Sequence, residues 1–203
     1  MYITVDGPEA SGKTTLIKNL SELLTSAGLR VKLTREPGSN RDGFCTGVRQ
    51  LVLHTDATID PTAEFLLFMA DRLQHLNVVI PALLADSDIV ISDRSLVSGI
   101  VYATAGGVPY SYQKTIAESS GIKIPDLSIL TSSSVEFSSK IIDQRGADRI
   151  EKRPRSYHDS VAEEFKQIEK RDIFTGWNFY RMPEVTSVSK EKMAEIAFSL
   201  IKK

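Results

Sequence analysis

Short apolar, β-branched runs alternate along this chain with longer stretches whose apolar residues recur at helical spacing. Residues 2–5 open the chain as a strand, 16–24 read as a helix and 29–33 as the next strand, an alternation that signals parallel βαβ units. Gly28 stands where a helix C-cap belongs. The pattern predicts further helices over Gly43–Leu53 and 62–85. Pro61 sits at the entrance of the second, where its fixed φ suits a first helical turn, and Pro81 falls inside it, where it should kink or break the helix. Ile89, Val90 and Ile91 read as a strand buried on both faces, running into Ser92, Asp93 and Arg94. Helices over 95–105 and 110–118 and a strand at Leu127–Leu130 follow. A helical region at 135–171, interrupted by charge around Gly146, then leads to a strand near 177–181 and a helix at Lys190–Ile201. The implied class is α/β, an open sheet with helices on both faces, whose ligands sit at the carboxyl ends of the strands. Asp6, Arg35, Asp93 and Arg94 all fall just past such ends.

The first strand runs directly into Gly7-Pro8-Glu9-Ala10-Ser11-Gly12-Lys13-Thr14-Thr15. This is a Gly-x-x-x-x-Gly-Lys-Thr pattern in the strand-loop-helix context that a phosphate-binding loop requires. Glycines at both ends let successive N–H groups turn inward onto phosphate oxygens, and the following helix presents its positive N-terminus. Lys13 can then reach the β and γ phosphates, and the Thr14 hydroxyl can hold Mg²⁺. The stretch implies a chain that binds a nucleoside triphosphate.

Composition narrows the setting. At 203 residues the chain suits one domain spanning 1–203. Lys plus Arg 25 against Asp plus Glu 26 leaves a net charge of −1, so bulk charge gives no support to nucleic-acid binding. Cys45 is the single cysteine and cannot form an internal disulfide; with no basic-then-apolar leader, a reducing cytoplasmic compartment is expected. No apolar stretch approaches bilayer-spanning length, so no membrane partner is expected. His54, His75 and His158 are scattered without ligand spacing and are expected at the surface or in the core.

Four other constellations carry candidate chemistry. In Thr34-Arg35-Glu36-Pro37-Gly38 the arginine would overhang the crevice and can clamp a phosphate bidentately, or it is a loop arginine paired with Glu36. Arg49 on the next helix is a second candidate clamp. Phe68 and Arg72, four apart on one helix face, can stack on and hydrogen-bond to a nucleobase; the plain alternative is that Phe68 is core. Asp93-Arg94 closes a buried strand as the acidic residue of a Walker B element does, orienting Mg²⁺ beside a cation that faces the transferred phosphoryl group, or forms a structural ion pair. The run from Arg145 to Arg155 is either a solvated helix face or a mobile lid that carries arginines over the triphosphate.

Taken in order over nearly the whole chain, DGPEASGKTT, TREPG, LLFMADR, DRSLVSGIVY, PDLSIL and RGADRIE resemble the thymidylate kinase family of P-loop nucleoside monophosphate kinases. The resemblance implies a three-layer fold with five parallel strands, a helical lid at roughly 143–156, a homodimer, and phosphoryl transfer from ATP·Mg²⁺ to dTMP. It implies that Glu9 holds the acceptor sugar near its 3′-hydroxyl and that Arg35 and Arg49 face the acceptor phosphate. Phe68 and Arg72 would meet thymine, and Arg94 would lie between donor and acceptor phosphates. Ser98, with Gly99 beside it, and Tyr102 match positions near the base and deoxyribose, the tyrosine disfavouring a 2′-hydroxyl. Ala10 replaces a loop arginine found in some relatives, so that Arg145, Arg149 or Arg153 of the lid would supply that charge. The sequence departs from the family pattern at Asp6, Ser39, Ser95, Ala103 and Thr131-Ser132-Ser133, none of which is expected to touch the triphosphate machinery. Two rival readings remain: another pyrimidine monophosphate as acceptor, dUMP or UMP, because one methyl discriminates only roughly 10–200-fold, or a nucleotide-binding module without transfer activity.

Overall fold

The structure, a computed structural model, describes residues 1–133, 136, 138, 148–184 and 188–201. Arg145, the interruption around Gly146 and the first part of the expected lid lie outside the described residues. Five parallel strands, β1 (Tyr2–Asp6), β2 (Val31–Arg35), β3 (Ile89–Asp93), β4 (Leu127–Leu130) and β5 (Phe179–Arg181), lie in the order β2-β3-β1-β4-β5. The α/β expectation holds. Ile3, Val5, Ile89, Ile91, Leu127 and Ile129 pack on one face beneath α1 (Lys13–Ser26) and the C-terminal helix α8 (Lys190–Ile201). Because successive strand residues point to opposite faces, Tyr2 and Val90 turn the other way and join Leu76, Ile80 and Leu83. The largest core cluster joins α2 (Gly43–Leu53), α3 (Pro61–Gln74), α5 (Leu96–Ala105) and α7 (Arg155–Gln167). α6 (Tyr110–Ser119) leads back toward β4.

Local chemistry explains where the elements start and stop. Asp60 caps α3 by accepting from the Thr62 and Ala63 amides, with Pro61 in the first turn as expected. Pro81 interrupts the long helix: a π-helical turn, His75–Val79, separates α3 from α4 (Ile80–Ala85), because proline cannot donate the i→i−4 bond. Gly28 ends α1 at φ 88°, with the Leu29 amide on Leu24 O at 3.1 Å and the Gly28 amide on Thr25 O at 2.9 Å, the two bonds of a Schellman motif. That motif uses up Leu29, which is why β2 begins at Val31, two residues later than its apolar run suggests. The last strand likewise starts late, at Phe179, since Trp177 stacks on Phe179 and meets Phe174 edge-on.

The strand ends are level. Past them the Arg94 amide donates to Val5 O, the Thr131 amide to Asp6 O and the Glu36 amide to Asp93 O, at 2.8–2.9 Å. Four chain segments therefore emerge side by side at the carboxyl edge of the sheet, where doubly wound folds bind their ligands.

Candidate active site

The glycine-rich loop between β1 and α1 is held from below. A Cβ on Gly7 would lie 2.2 Å from Thr131 Oγ1 and 2.6 Å from Thr131 O, so only glycine fits between loop and strand β4. Thr131 Oγ1 is 2.7 Å from Ser11 Oγ, and Ser11 donates to Pro8 O at 2.8 Å. This corrects one expectation: the departure at Thr131 does touch the phosphate loop, as its brace. Ala10 takes the left-handed conformation at φ 53°, a geometry that costs a non-glycine residue roughly 1–3 kcal/mol. Lys13 is almost fully buried and donates to Gly7 O at 3.1 Å and Pro8 O at 2.6 Å. Burial and the neighbouring Arg94 lower its ammonium to about 8, which leaves it charged but readily displaced toward a stronger anionic partner.

Arg94 is the hub of the opposite wall. It sits at φ 75°, locked by its own side chain: Nη1 donates to Gly7 O at 3.0 Å and Ser98 Oγ at 3.1 Å, and Nη2 to Glu9 Oε1 at 2.8 Å. Its guanidinium also lies 5.1 Å from the centre of the Tyr102 ring, within cation–π range. The Tyr102 hydroxyl donates to Glu9 Oε2. Burial would raise the Glu9 carboxyl, but Arg94 and Lys13 outweigh it and hold it below the usual range, so it is ionised. Asp6 lies beneath, fully buried, accepting from the amides and hydroxyls of Ser95 and Ser98 at 2.6–3.1 Å. The departures at positions 6 and 95 thus fit each other, with the short carboxylate receiving the short hydroxyl that caps α5.

The remaining candidates line the same cavity of about 550 Å³, a size common for small-molecule sites. Phe68 is half-buried on its wall, packed against the core but open to the space. Arg35 and Arg49 converge on the turn after β2, Arg35 Nε reaching Gly38 O at 3.2 Å and Arg49 Nη1 reaching Pro37 O at 2.9 Å. Arg35 does not pair with Glu36. That carboxylate binds Arg72 Nε and His75 Nδ1, both at 2.8 Å, and the ion pair is less than 5% exposed on either side. Removing one partner of such a pair typically costs about 3–5 kcal/mol, because the other is left buried and unpaired. Gly99 makes room for this arginine, since a Cβ there would stand 2.7 Å from Arg72 Nη1. Asp93 Oδ1 is buried without a hydrogen-bond partner among the described residues. It shares the cavity with Thr14, and an orphaned carboxylate oxygen beside a loop threonine suits a divalent cation such as Mg²⁺.

The lid arginines are placed differently from the expectation. Arg149 and Arg153 are not on the cavity wall. Both bind the buried carboxylate of Glu64 on α3, Arg153 Nη2 at 2.8 Å from each oxygen. Arg149 also donates to Val52 O at 2.7 Å, and Arg153 stacks on Tyr157. Their neighbours Asp148, Ile150 and Glu151 border the cavity instead, so two arginines bound to one buried carboxylate fasten the 148–153 segment beside it. Sequence reasoning passed over Glu64 and Asp71, and took Glu36 only as a possible partner of Arg35 and His75 only as a surface or core histidine. The one local signal was an acidic residue inside or at the end of an apolar element, as at Glu36, Glu64 and Asp71.

Asp71 supports the β2 turn by accepting from the Gly38 amide at 3.0 Å. Burial and the nearby Glu36 raise its carboxyl to about 6. A carboxyl with a raised folded-state value binds more protons folded than unfolded between pH 4 and 6, so its contribution is intact below pH 4 and is lost as pH rises through 6. Wild-type protein is therefore expected to lose roughly 2–3 kcal/mol from this group over that range, and Asp71→Asn to lack this part of the slope. Urea unfolding of both proteins at pH 4, 5 and 7 reads the difference directly. Parallel curves would sink the assignment.

A parallel α/β sheet with a glycine-rich loop after its first strand, and arginines across a single cleft, defines a P-loop kinase acting on nucleotides. The family described as Thymidylate kinase matches residues 5–175, and the chain belongs to that family. It is 36% identical to the thymidylate kinase of Exiguobacterium sibiricum over 171 residues, 82% of this chain and 80% of that one. The Carboxydothermus hydrogenoformans thymidylate kinase is 34% identical over 90% of this chain and 91% of its own. The Deinococcus radiodurans enzyme is 36% identical over 83% and 82%. Among the described residues no helix is long and apolar enough to cross a membrane.

Proposed function

We propose that the protein transfers the γ-phosphoryl group of ATP·Mg²⁺ to dTMP, giving dTDP and ADP. One observation carries the reading: a single cavity joins the loop residues Glu9–Thr15 to Phe68, Arg72 and Tyr102, with Arg94 bonded to the loop and to α5 on its wall. Phosphoryl transfer requires two polyanions to be held in line and their repulsion screened, with little covalent help. Lys13 and the loop amides hold the donor phosphates, Arg94 stands between the two phosphates, and Arg35 and Arg49 hold the acceptor phosphate. Phe68 stacks on the base and Arg72 donates to its carbonyl edge. Glu9, bonded to Tyr102, faces the sugar, and Ser98 and Gly99 border the base side.

Mg²⁺, when bound at Thr14 and Asp93, neutralises charge on the donor phosphates. Arg149 and Arg153 act as anchors of the lid segment through Glu64. A cytoplasmic homodimer is the setting this reading implies. The test is purified protein with ATP·Mg²⁺ and a panel of dTMP, dUMP, UMP, CMP and AMP. Product from dTMP, with dUMP the nearest competitor, is expected. Bound ATP with no monophosphate phosphorylated would defeat the kinase reading.

A further inference from the structure

From the cavity wall at Arg72 a buried polar chain runs back through Glu36, His75 and Thr34, three residues to which the reaction itself assigns no role. Thr34 Oγ1 is 2.7 Å from His75 Nε2 and donates to Ser39 Oγ at 3.2 Å. His75 is fully buried and its Nδ1 meets Glu36 Oε1 at 2.8 Å. Glu36 Oε2 accepts from Arg72 Nε at 2.8 Å, and Arg72 Nη2 donates to Ser95 O at 2.9 Å. Glu36 is ionised: burial would raise its carboxyl, but Arg72 and His75 outweigh it and hold it below the usual range. A carboxylate only accepts, so His75 must present Nδ1–H to it. The guanidinium is thus gripped by its Nε edge and by one N–H of Nη2, while Nη1 donates to Met69 Sδ at 3.4 Å and Gly99 packs close to the two terminal nitrogens. Its five donors form a rigid planar fork, so fixing those two points fixes the direction of the terminal N–H bonds that remain.

We propose that Glu36, held by His75, is a positioning residue for base recognition: it orients Arg72 so that the cavity accepts a pyrimidine with a 4-carbonyl and rejects one with a 4-amino group. The proposal rests on the reading of Phe68 and Arg72 as the base site. A donor fork aimed at one point favours an acceptor there and leaves an amino group opposed by N–H bonds. Sites that hydrogen-bond one substrate group discriminate strongly against its replacement. Loss of the grip lets the fork rotate, which weakens binding of the correct base and relaxes the choice, while the phosphate machinery around Lys13 and Arg94 is untouched.

The experiment compares dTMP with dCMP as acceptor for wild type, Glu36→Gln, His75→Leu and His75→Asn. Binding of a fluorescent ATP analogue and near-ultraviolet circular dichroism check that each variant is folded. Expected for Glu36→Gln is a tenfold or larger rise in KM for dTMP, kcat within threefold of wild type, and a tenfold or larger fall in the dTMP over dCMP ratio of kcat/KM. His75→Leu removes the second grip but keeps the ion pair, and should move the ratio the same way by a smaller factor. Asparagine restores a donor at the Nδ1 position, so His75→Asn should recover the wild-type ratio. If Glu36→Gln does not fold, the leucine and asparagine pair decides alone. Folded variants with an unchanged ratio, or with kcat falling equally for both acceptors, overturn the proposal and leave the function standing. Wild type with no preference for dTMP over dCMP overturns the base site and the proposal together.

Discussion

Lys13→Ala is expected to lower kcat by about a thousandfold, since losing even one preorganised donor to developing charge typically costs 10²–10³ and Lys13 contributes a full positive charge. The fold should survive. Lys13 begins α1, where alanine is the better helix former, and the bonds lost are two donations to the loop carbonyls of Gly7 and Pro8. The same lysine predicts a pH signature. With its ammonium lowered to about 8 by burial and Arg94, nucleotide binding at pH 9 should take up a proton, because the phosphates favour the charged form. Calorimetric titrations in two buffers of different ionisation enthalpy measure that uptake, and Lys13→Ala should abolish it. Turnover within tenfold of wild type would remove Lys13 from stabilising the transferred phosphoryl group.

Arg94→Lys is the second large effect. The substitution keeps the charge but not the fork, and the structure uses the fork fully: Gly7 O and Ser98 Oγ on one nitrogen, Glu9 on the other. A lysine has one nitrogen for those three partners. Glu9 is then left poorly paired beneath the Tyr102 hydroxyl, and the left-handed backbone at position 94 loses the bonds that hold it. A fall of about a hundredfold in kcat is expected, with a smaller change in ATP affinity, read by steady-state kinetics alongside direct ATP binding. Unchanged kcat would remove Arg94 from the path between the two phosphates.

Both predictions concern residues that were legible in the chain as written. The loop could be read because its chemistry is local: two glycines, a lysine and a threonine at set offsets after a strand leave few other uses for that backbone. Asp93 and Arg94 were legible because they end an apolar run in a fold that keeps its ligands at strand ends. Pro81 and Gly28 marked a break and a helix end for reasons internal to one or two residues. Arg149 and Arg153 show the limit of this kind of reading. Their charge was plain, yet their partner, Glu64, stands 85 and 89 positions earlier, and no local pattern distinguishes an arginine over a phosphate from one clasping a buried carboxylate.

The sequence by itself determined the parallel α/β class, the place of the phosphate loop and the family, because periodicity and short motifs act through neighbours along the chain. Tertiary structure alone decided how both sides of the site are braced. Only there do Glu36 and Arg72 pair across 36 residues, Thr131 brace Ser11 across 120, and Asp6 collect the Ser95 and Ser98 hydroxyls across 89 and 92. Each of these contacts joins polar groups that are costly to bury alone. Their partners are chosen by which strand ends and helix faces the sheet order β2-β3-β1-β4-β5 brings side by side, a choice that spacing along the chain does not encode.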